Sequence, residues 1–558
     1  MTLKEIRKSK NMTQEEASLV LGISLRSYKT YENMTDEYNE KYHQLSLQLL
    51  KYESGDYNLA VMVKDELKKY IEPVRSYKSR KILGDINEYL SSPITGKVLI
   101  LYGIRRSGKT TLIKQALLSM NKADFNKAAF IQPKKESNMS LLYKDLKRLR
   151  SEGYKYVFID EITLLPDFID DAALLSDIFA SSSMKIVLSG TDSLGFLFAK
   201  DDQLYNRNIF IHTTFIPYRE FEEVLDIKGI DEYITYGGTM SIEGNNYQNR
   251  SLFSSDKSIN EYVDTSIAKN IQHSLKCYDN GEHFRSLKIL YENNELTNAI
   301  NRVIEDINHN FVLEVLNREF SSSDLSLSKK NLRNDRNNPN DILDYVDTNS
   351  INKKMKDALE ILNKEERKID LDKSVIEEIK EYLFRLDVIK EIDVISLPSQ
   401  TVNHKVVVTI PGLRYGQSKL LTSILLEDPV FNTLSYDEKR SITKRILDTA
   451  KGVLMEEIVL YETYYANQNN KVCKTQFAVG EYDMVVSDND KGVSRIYEIK
   501  HSKEIDDRQI VHLIDIEKNK LVEYKFGHID SRNVIYRGEN TTYKDIKYLN
   551  VEEYLKQL

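Results

Sequence analysis

The spacing of apolar and polar positions changes character several times along the chain, and each change marks a different kind of structure. Leu3 and Ile6, then Ala17, Val20 and Leu21, recur at helical spacing, with Thr13 and Glu16 placed as a helix-capping pair. Gly22 makes a turn and Ser24 caps a second short helix, Leu25 to Tyr31, so the stretch has helix-turn-helix grammar. Residues 36–75 are charged and Tyr-rich and read as a closing helix and a linker. Between 78 and 225 the pattern switches to unbroken apolar runs alternating with helical stretches, which predicts a parallel sheet covered on both faces. Helical periodicity returns over 284–320 and 352–420, followed by a hairpin from Ile392–Pro398 and Lys405–Ile410. The intervening 321–347 is rich in Ser, Asn, Asp and Lys and reads as a loop or disordered insert. Finally, Gly452-Val-Leu-Met-Glu456 opens an amphipathic helix, Gln476–Val486 reads as a strand pair, and Arg495–Lys500 as a further strand.

Composition narrows this only a little. A length of 558 residues predicts three or four domains. The net charge of −7 argues against a uniformly basic nucleic-acid coat but allows local basic patches. Cys277 and Cys473 are the only cysteines, and they lie far apart without metal-ligand spacing, as buried or free thiols of a reducing compartment do. No apolar run approaches ~18 residues and the N-terminus is polar, so the expectation is a cytoplasmic protein without membrane span or signal peptide.

Chemistry enters at Lys97–Tyr102, an apolar strand feeding Gly103-Ile-Arg-Arg-Ser-Gly-Lys-Thr-Thr111 and then a helix. This is GxxxxGK[ST] in the strand–loop–helix order that a P-loop requires. Gly103 and Gly108 let successive N–H groups turn inward, so that the loop, including Arg105, Arg106, Ser107 and Thr111, cradles phosphates at a helix N-terminus. Lys109 reaches the β- and γ-phosphates of ATP, and the Thr110 hydroxyl binds Mg²⁺. About 50 residues on, the apolar strand ending in Asp160-Glu161 matches a Walker B element. Asp160 then holds Mg²⁺, and Glu161 orients or deprotonates the attacking water. A third apolar strand ends in Ser189-Gly-Thr191, which either senses the γ-phosphate and positions water or is a plain turn.

A second constellation lies near the C-terminus. In Tyr497-Glu-Ile-Lys500 the Glu498 and Lys500 side chains share a strand face, and Asp483 sits mid-strand among apolar residues, where a carboxylate is costly without a cation or partner. The set suits metal-assisted phosphodiester hydrolysis. Asp483 and Glu498 bind Mg²⁺, Glu456 completes the coordination from its helix, and Lys500 activates water or stabilises charge.

Three resemblances follow. Ile6-Arg7, Thr13-Gln14-Glu15, Ala17, Gly22-Ile23-Ser24 and Tyr31-Glu32 resemble the Xre/Cro-like repressors over about 55 residues. That family implies a second helix in the DNA major groove, with Arg26, Ser27 and Lys29 near bases or phosphates and Gln14 near the backbone or a base. A helical docking module without DNA contact is the alternative. Residues 78–275 resemble the archaeal-type AAA+ ATPases through the P-loop, Phe158-Ile-Asp-Glu-Ile162, Leu188-Ser-Gly-Thr191, Phe215-Ile-Pro-Tyr-Arg-Glu-Phe221 and Tyr236-Gly-Gly238. The resemblance implies that Arg207 is either an arginine finger acting on a neighbour's γ-phosphate or a surface ion pair, and that the middle carries a winged helix. The third is to the PD-(D/E)xK restriction-nuclease-like fold over residues 440–540, with polar positions at His501 and Gln509.

The expected architecture is multidomain α/β. It comprises a helix-turn-helix (1–55), a linker (56–77), a parallel-sheet P-loop AAA+ core (78–230) and a helical lid (231–283). A winged-helix-like domain (284–415, insert 321–347) and a mixed α/β nuclease-like domain (416–558) follow. The expected activity is ATP-governed, metal-dependent cleavage of double-stranded DNA by a homo-oligomer, in defence against phage or plasmids with a phage-derived trigger. The rival is an ATP-switched DNA-binding regulator with a non-catalytic C-terminal domain. A motor that remodels DNA without cutting is a third reading.

Overall fold

The apolar runs of the first half become the strands of a six-stranded sheet, and those of the last third become an eight-stranded one. The computed structural model describes residues 2–9, 13–14, 17–18, 21, 23–33, 40–51, 57–93, 96–134, 137–181, 184–191, 196, 207–240, 256–277, 284–320, 348–366 and 371–558. The expected insert 321–347, and Glu15, Glu16, Val20 and Gly22 of the N-terminal pattern, lie outside the described residues. Two units result. One comprises residues 1–104 and 108–213 with a short piece at 276–278, and the other residues 105–107, 214–275 and 279–558.

In the first unit, α1 (Leu3–Ser9), α2 (Leu25–Glu32) and α3 (Glu40–Lys51) enclose a small core of Leu3, Ile6, Ala17, Leu21, Tyr28, Tyr42, Leu45 and Leu49. The Ser24 hydroxyl accepts from the Ser27 N–H at 3.1 Å, the predicted cap for α2. The sheet runs β1 (Ala60–Val63), β3 (Ala128–Gln132), β4 (Tyr156–Ile159), β5 (Lys185–Gly190), β2 (Val98–Tyr102), β6 (Asn208–His212). All pairings are parallel except that of β1 with β3. The P-loop strand β2 is therefore interior, and its residues Val98–Leu101 are fully buried, as parallel strands with two covered faces require.

The expected linker 56–77 is corrected. It supplies the edge strand β1 and the helix α4 (Lys64–Ile71), whose Leu67 and Ile71 enter the core. The Asn58 and Leu59 N–H groups donate to Asp145 at 3.0 and 2.8 Å, which ties this edge down. A four-residue strand amid charged residues gives too short an apolar run to register as sheet.

In the second unit the strand order is β13 (Thr541–Tyr543), β14 (Ile546–Asn550), β12 (His528–Tyr536), β11 (Val493–Lys500), β10 (Glu481–Asp488), β9 (Lys471–Gln476), β7 (Ile389–Ser396), β8 (Val402–Val408). The strands β9, β10 and β11 form an antiparallel meander, and β12 joins β11 in parallel. The predicted hairpin exists as β7–β8, with Ile392 opposite Lys405, but it is not a free wing. Strand β7 pairs in parallel with β9, so the boundary drawn at 415 cuts through one sheet. Edge pairing is a long-range backbone interaction that no local pattern announces.

Around this sheet stand α6 (Ile230–Tyr236), α7 (Leu296–Phe320), α8 (Pro411–Glu427), α9 (Tyr436–Ala466) and α10 (Ile516–Phe526). The expected lid residues of α6 pack on α8 and α9, sharing one core with residues of β7 to β12. The helix carrying Glu456 starts at Tyr436 and not Gly452. Ser435 and Glu438 form a capping box, and Gly452 lies inside a 31-residue helix whose stability comes from burial. The strand pair expected over 476–486 is β9–β10, turning at Phe477–Gly480, where the Phe477 N–H donates to the Gly480 carbonyl at 2.9 Å. Gly480 (φ +83°) has the His512 ring 2.5 Å from where a Cβ would stand.

Candidate functional site

The nucleotide site forms where β2, β4 and β5 end. Because β5 lies between β2 and β4, all three carboxyl ends face one crevice, the place where open parallel sheets bind ligands. Gly108, at φ +91°, turns the loop into α5 (Lys109–Ser119), which places the loop at a helix N-terminus. The buried Lys109 Nζ donates to the Gly103 and Ile104 carbonyls at 2.8 and 3.0 Å. The Thr110 hydroxyl donates to Asp160 Oδ2 at 2.8 Å, so the loop hydroxyl and the acid at the end of β4 meet. Arg105 and Arg106 are exposed, Ser107 is buried and Thr111 is half-buried.

The third strand contributes differently from expectation. Ser189 is fully buried beneath Asp160 and donates to its Oδ1, while Thr191 donates to Glu161 Oε2 through both N–H and hydroxyl at 3.2 Å. Both residues therefore position the two acids. Glu161 occupies the left-handed region at φ +55°, a conformation that non-glycine residues keep only where surroundings hold it. Gly190 is needed between them, since a Cβ would stand 2.7 Å from Thr163 Oγ1 and from the Phe196 ring. Arg207, just before β6, pairs with Asp177 at 2.9 Å, with both side chains about half exposed.

In the N-terminal arm, Arg26 and Lys29 are exposed on α2, whereas Ser27 is half-buried and its hydroxyl lies 2.8 Å from that of the cap Ser24. Gln14 is not free for DNA in this arrangement. Its amide donates to the buried Glu32, which also accepts from Arg7 Nε at 2.6 Å and the Tyr28 hydroxyl at 3.2 Å. A buried carboxylate takes the donors that its burial demands.

The C-terminal cluster forms where the β10–β11 ladder opens. A register shift between Tyr482 and Val485 bulges β10 against β9. Asp483 Oδ2 accepts the Ile499 N–H at 2.8 Å and Lys500 Nζ at 3.0 Å. Lys500 also reaches Glu498 at 2.6 Å, and Lys474 of β9 stands 3.9 Å from Asp483 Oδ1. Asp483 and Glu498 are almost wholly buried, and Glu498 Oε1 has no hydrogen-bond partner. Burial pushes the Asp483 carboxyl up, but Lys500, Lys474 and the Ile499 N–H outweigh it and hold it well below the carboxylate range. Burial, then the charge of Asp483, pushes Glu498 above that range.

Glu456 is not brought into this pair as expected. It faces the cluster from α9, but Arg318 of α7 holds it, with Nη1 at 2.7 Å from each carboxylate oxygen. Among the described residues no three acidic, His or Cys groups converge in metal-ligating geometry. Asp483 with the orphaned Glu498 oxygen fits a divalent cation that keeps waters on its other positions. Glu456 does not fit while Arg318 occupies it. His501 pairs with Asp231 of α6 at 2.8 Å, and Gln509 closes a capping box with Asp506. Arg318 and Lys474 escaped sequence reasoning, because only folding brings them to the acids.

Two family models match parts of the chain: the AAA domain over residues 95–222 and the helix-turn-helix over residues 3–37. The chain thus carries an AAA-type ATPase domain and an Xre-like helix-turn-helix domain. No curated protein matches it in sequence. Among solved structures it is similar to the Aeropyrum pernix Orc1 protein in complex with DNA, at 12% identity and TM-score 0.22, covering 63% of this chain and 91% of that one. It is also similar to the S. cerevisiae Hsp104–ADP complex, at 11% identity and TM-score 0.26, covering 84% of this chain and 66% of that one. At these scores neither likeness carries an argument about function.

Proposed function

We propose that this protein hydrolyses ATP, associates with DNA through its N-terminal arm, and cleaves DNA at the C-terminal cluster under control of the ATPase. The ATPase and helix-turn-helix domains supply the first two parts. The observation that carries the third is the convergence of Asp483, Glu498 and Lys500 across two adjacent strands, beside a buried carboxylate oxygen lacking any partner.

In the nucleotide site Lys109 exchanges its loop carbonyls for phosphate oxygens. Thr110 and Asp160 would hold Mg²⁺, and Glu161, fixed by Thr191, would orient the attacking water. Arg207 leaves Asp177 to reach a neighbouring protomer's nucleotide in a homo-oligomer, an exchange that an exposed ion pair costing little to break permits. In the C-terminal cluster Asp483 and Glu498 would hold a divalent cation, which would supply Lewis-acid activation of the phosphodiester. Lys500, anchored by both acids, presents its ammonium to the developing charge on the phosphate. A DNA-reading arm joined to an ATPase and a phosphodiesterase suits cytoplasmic defence against phage or plasmid DNA, which plaque counts with and without the protein would test.

The test is cleavage of supercoiled and linear DNA with Mg²⁺ or Mn²⁺, with and without ATP, by wild type, Lys109→Ala and Lys500→Ala. Cutting should vanish in Lys500→Ala and change in Lys109→Ala. If no protein cuts DNA or RNA under any condition, the regulator reading takes its place. The grip of Arg318 on Glu456 favours that rival, because it neutralises a carboxylate that a three-acid metal site would use.

A further inference from the structure

We propose that Arg318 is an internal stopper of the C-terminal site: a cation carried by the chain itself that occupies Glu456 and must leave before a divalent metal binds fully. The inference rests on the phosphodiesterase reading above and names how that site is regulated.

The geometry is that of a competitor. A single nitrogen, Nη1, lies 2.7 Å from both Glu456 oxygens, on the bisector where a carboxylate chelates a cation. Arg318 carries the positive charge that the metal would otherwise bring.

Arg318 also has somewhere to go. Its Nη2 contacts Glu314 at 2.9 Å and approaches Glu481 at 3.8 Å. Glu314 keeps Lys405 at 3.1 Å when Arg318 moves, and Glu481 is already held by Lys474 at 2.7 Å. These half-buried charges thus form one connected network from α7 to the Asp483–Lys500 pair, and exchanging Arg318 for a metal leaves no carboxylate orphaned. The Glu456 carboxylate is mostly shielded from solvent, so losing its arginine without a replacement cation is unfavourable, and release of the arginine and entry of the metal are coupled. The arginine sits near the C-terminal end of the 25-residue helix α7, so a displacement of that end opens the site.

Mn²⁺ binding to the full-length protein, measured by calorimetry without nucleotide, tests this. Arg318→Met should bind Mn²⁺ about 10-fold or more tighter than wild type, the scale on which groups around a ligand tune metal affinity. Adding Glu498→Gln should abolish the gain. Equal or weaker binding by Arg318→Met overturns the stopper. Because that variant leaves Glu456 uncompensated and is at risk of misfolding, amide hydrogen exchange on the wild type gives an independent reading. Exchange over residues 314–318 should rise as Mn²⁺ saturates, and unchanged protection at saturation also overturns the proposal. If neither protein binds Mn²⁺ and exchange is flat, the metal reading of the cluster falls and the stopper falls with it.

Discussion

The acids of the nucleotide site and those of the C-terminal cluster are satisfied by opposite means. Asp160 takes hydrogen bonds from the Thr110 and Ser189 hydroxyls, and Glu161 from Thr191, all neutral donors. Asp483, Glu498 and Glu456 are held by the cations Lys500, Lys474 and Arg318, with the Ile499 N–H adding one neutral donor at Asp483. Neutral donors orient a carboxylate and leave its charge for an incoming ion. Cations within the chain cancel that charge, so any metal must displace them or share the acid with them. The first arrangement leaves the charge of its acids uncancelled; the second cancels it within the chain.

The largest expected effect lies in the first site. Lys109→Ala should lower ATP turnover by about 10²–10³-fold, the scale of losing one charge-stabilising donor, in a phosphate-release assay. Mn²⁺ binding at the C-terminal cluster should be unchanged, and a loss there would break the separation between the sites. The comparison itself is sharpened by two aspartates. Asp483→Ala strands Lys500 and Lys474 in a buried setting and should destabilise by about 3–5 kcal/mol. Asp160→Ala strands only hydroxyls and should cost about 1 kcal/mol in the same denaturant titration. Equal losses would show that the two sites are not held differently.

Glu462 extends the contrast to a buried acid whose hydrogen-bond donors are neutral, with the Arg219 charge too weak to offset its burial. It accepts the Tyr218 N–H at 2.7 Å, and burial pushes it up to about 8. A carboxyl raised in the fold costs stability as pH climbs from its unfolded value toward the folded one. Wild type should therefore weaken between about pH 4.5 and pH 8, and Glu462→Gln should remove that slope, gaining about 1–3 kcal/mol at pH 8 in urea melts. The smallest effect belongs to the arm. Arg26→Ala with Lys29→Ala should weaken DNA binding and lower the log–log salt slope by about 2, with turnover of ATP alone unaffected.

Local patterns carried much of this. The run Val98–Tyr102 into Gly103–Thr111 announced a strand, a loop and a helix, because a buried parallel strand is continuously apolar and a phosphate loop demands glycine at set positions. Ser24 before Leu25–Glu32 announced a capped helix, because a cap is a contact three residues long. Asp483, Glu498 and Lys500 could be paired on paper, since period two puts two of them on one face and an acid amid apolar residues needs a partner. The edge strand Ala60–Val63 was too short to be heard, and the hairpin Ile389–Val408 read as a separate wing because β9, where Lys474 pairs with Val394, lies far along the chain.

The sequence by itself thus determined the elements, the phosphate loop and the presence of buried acids, each a matter of spacing within a few residues. Tertiary structure alone decided what surrounds those acids. Hydroxyls from β5 come to Asp160 and Glu161, and an arginine 138 positions away comes to Glu456. Whether a carboxylate keeps its charge for a metal or yields it to a neighbour depends on burial and on which donor arrives within 3 Å, and folding brings that donor from a distant part of the chain.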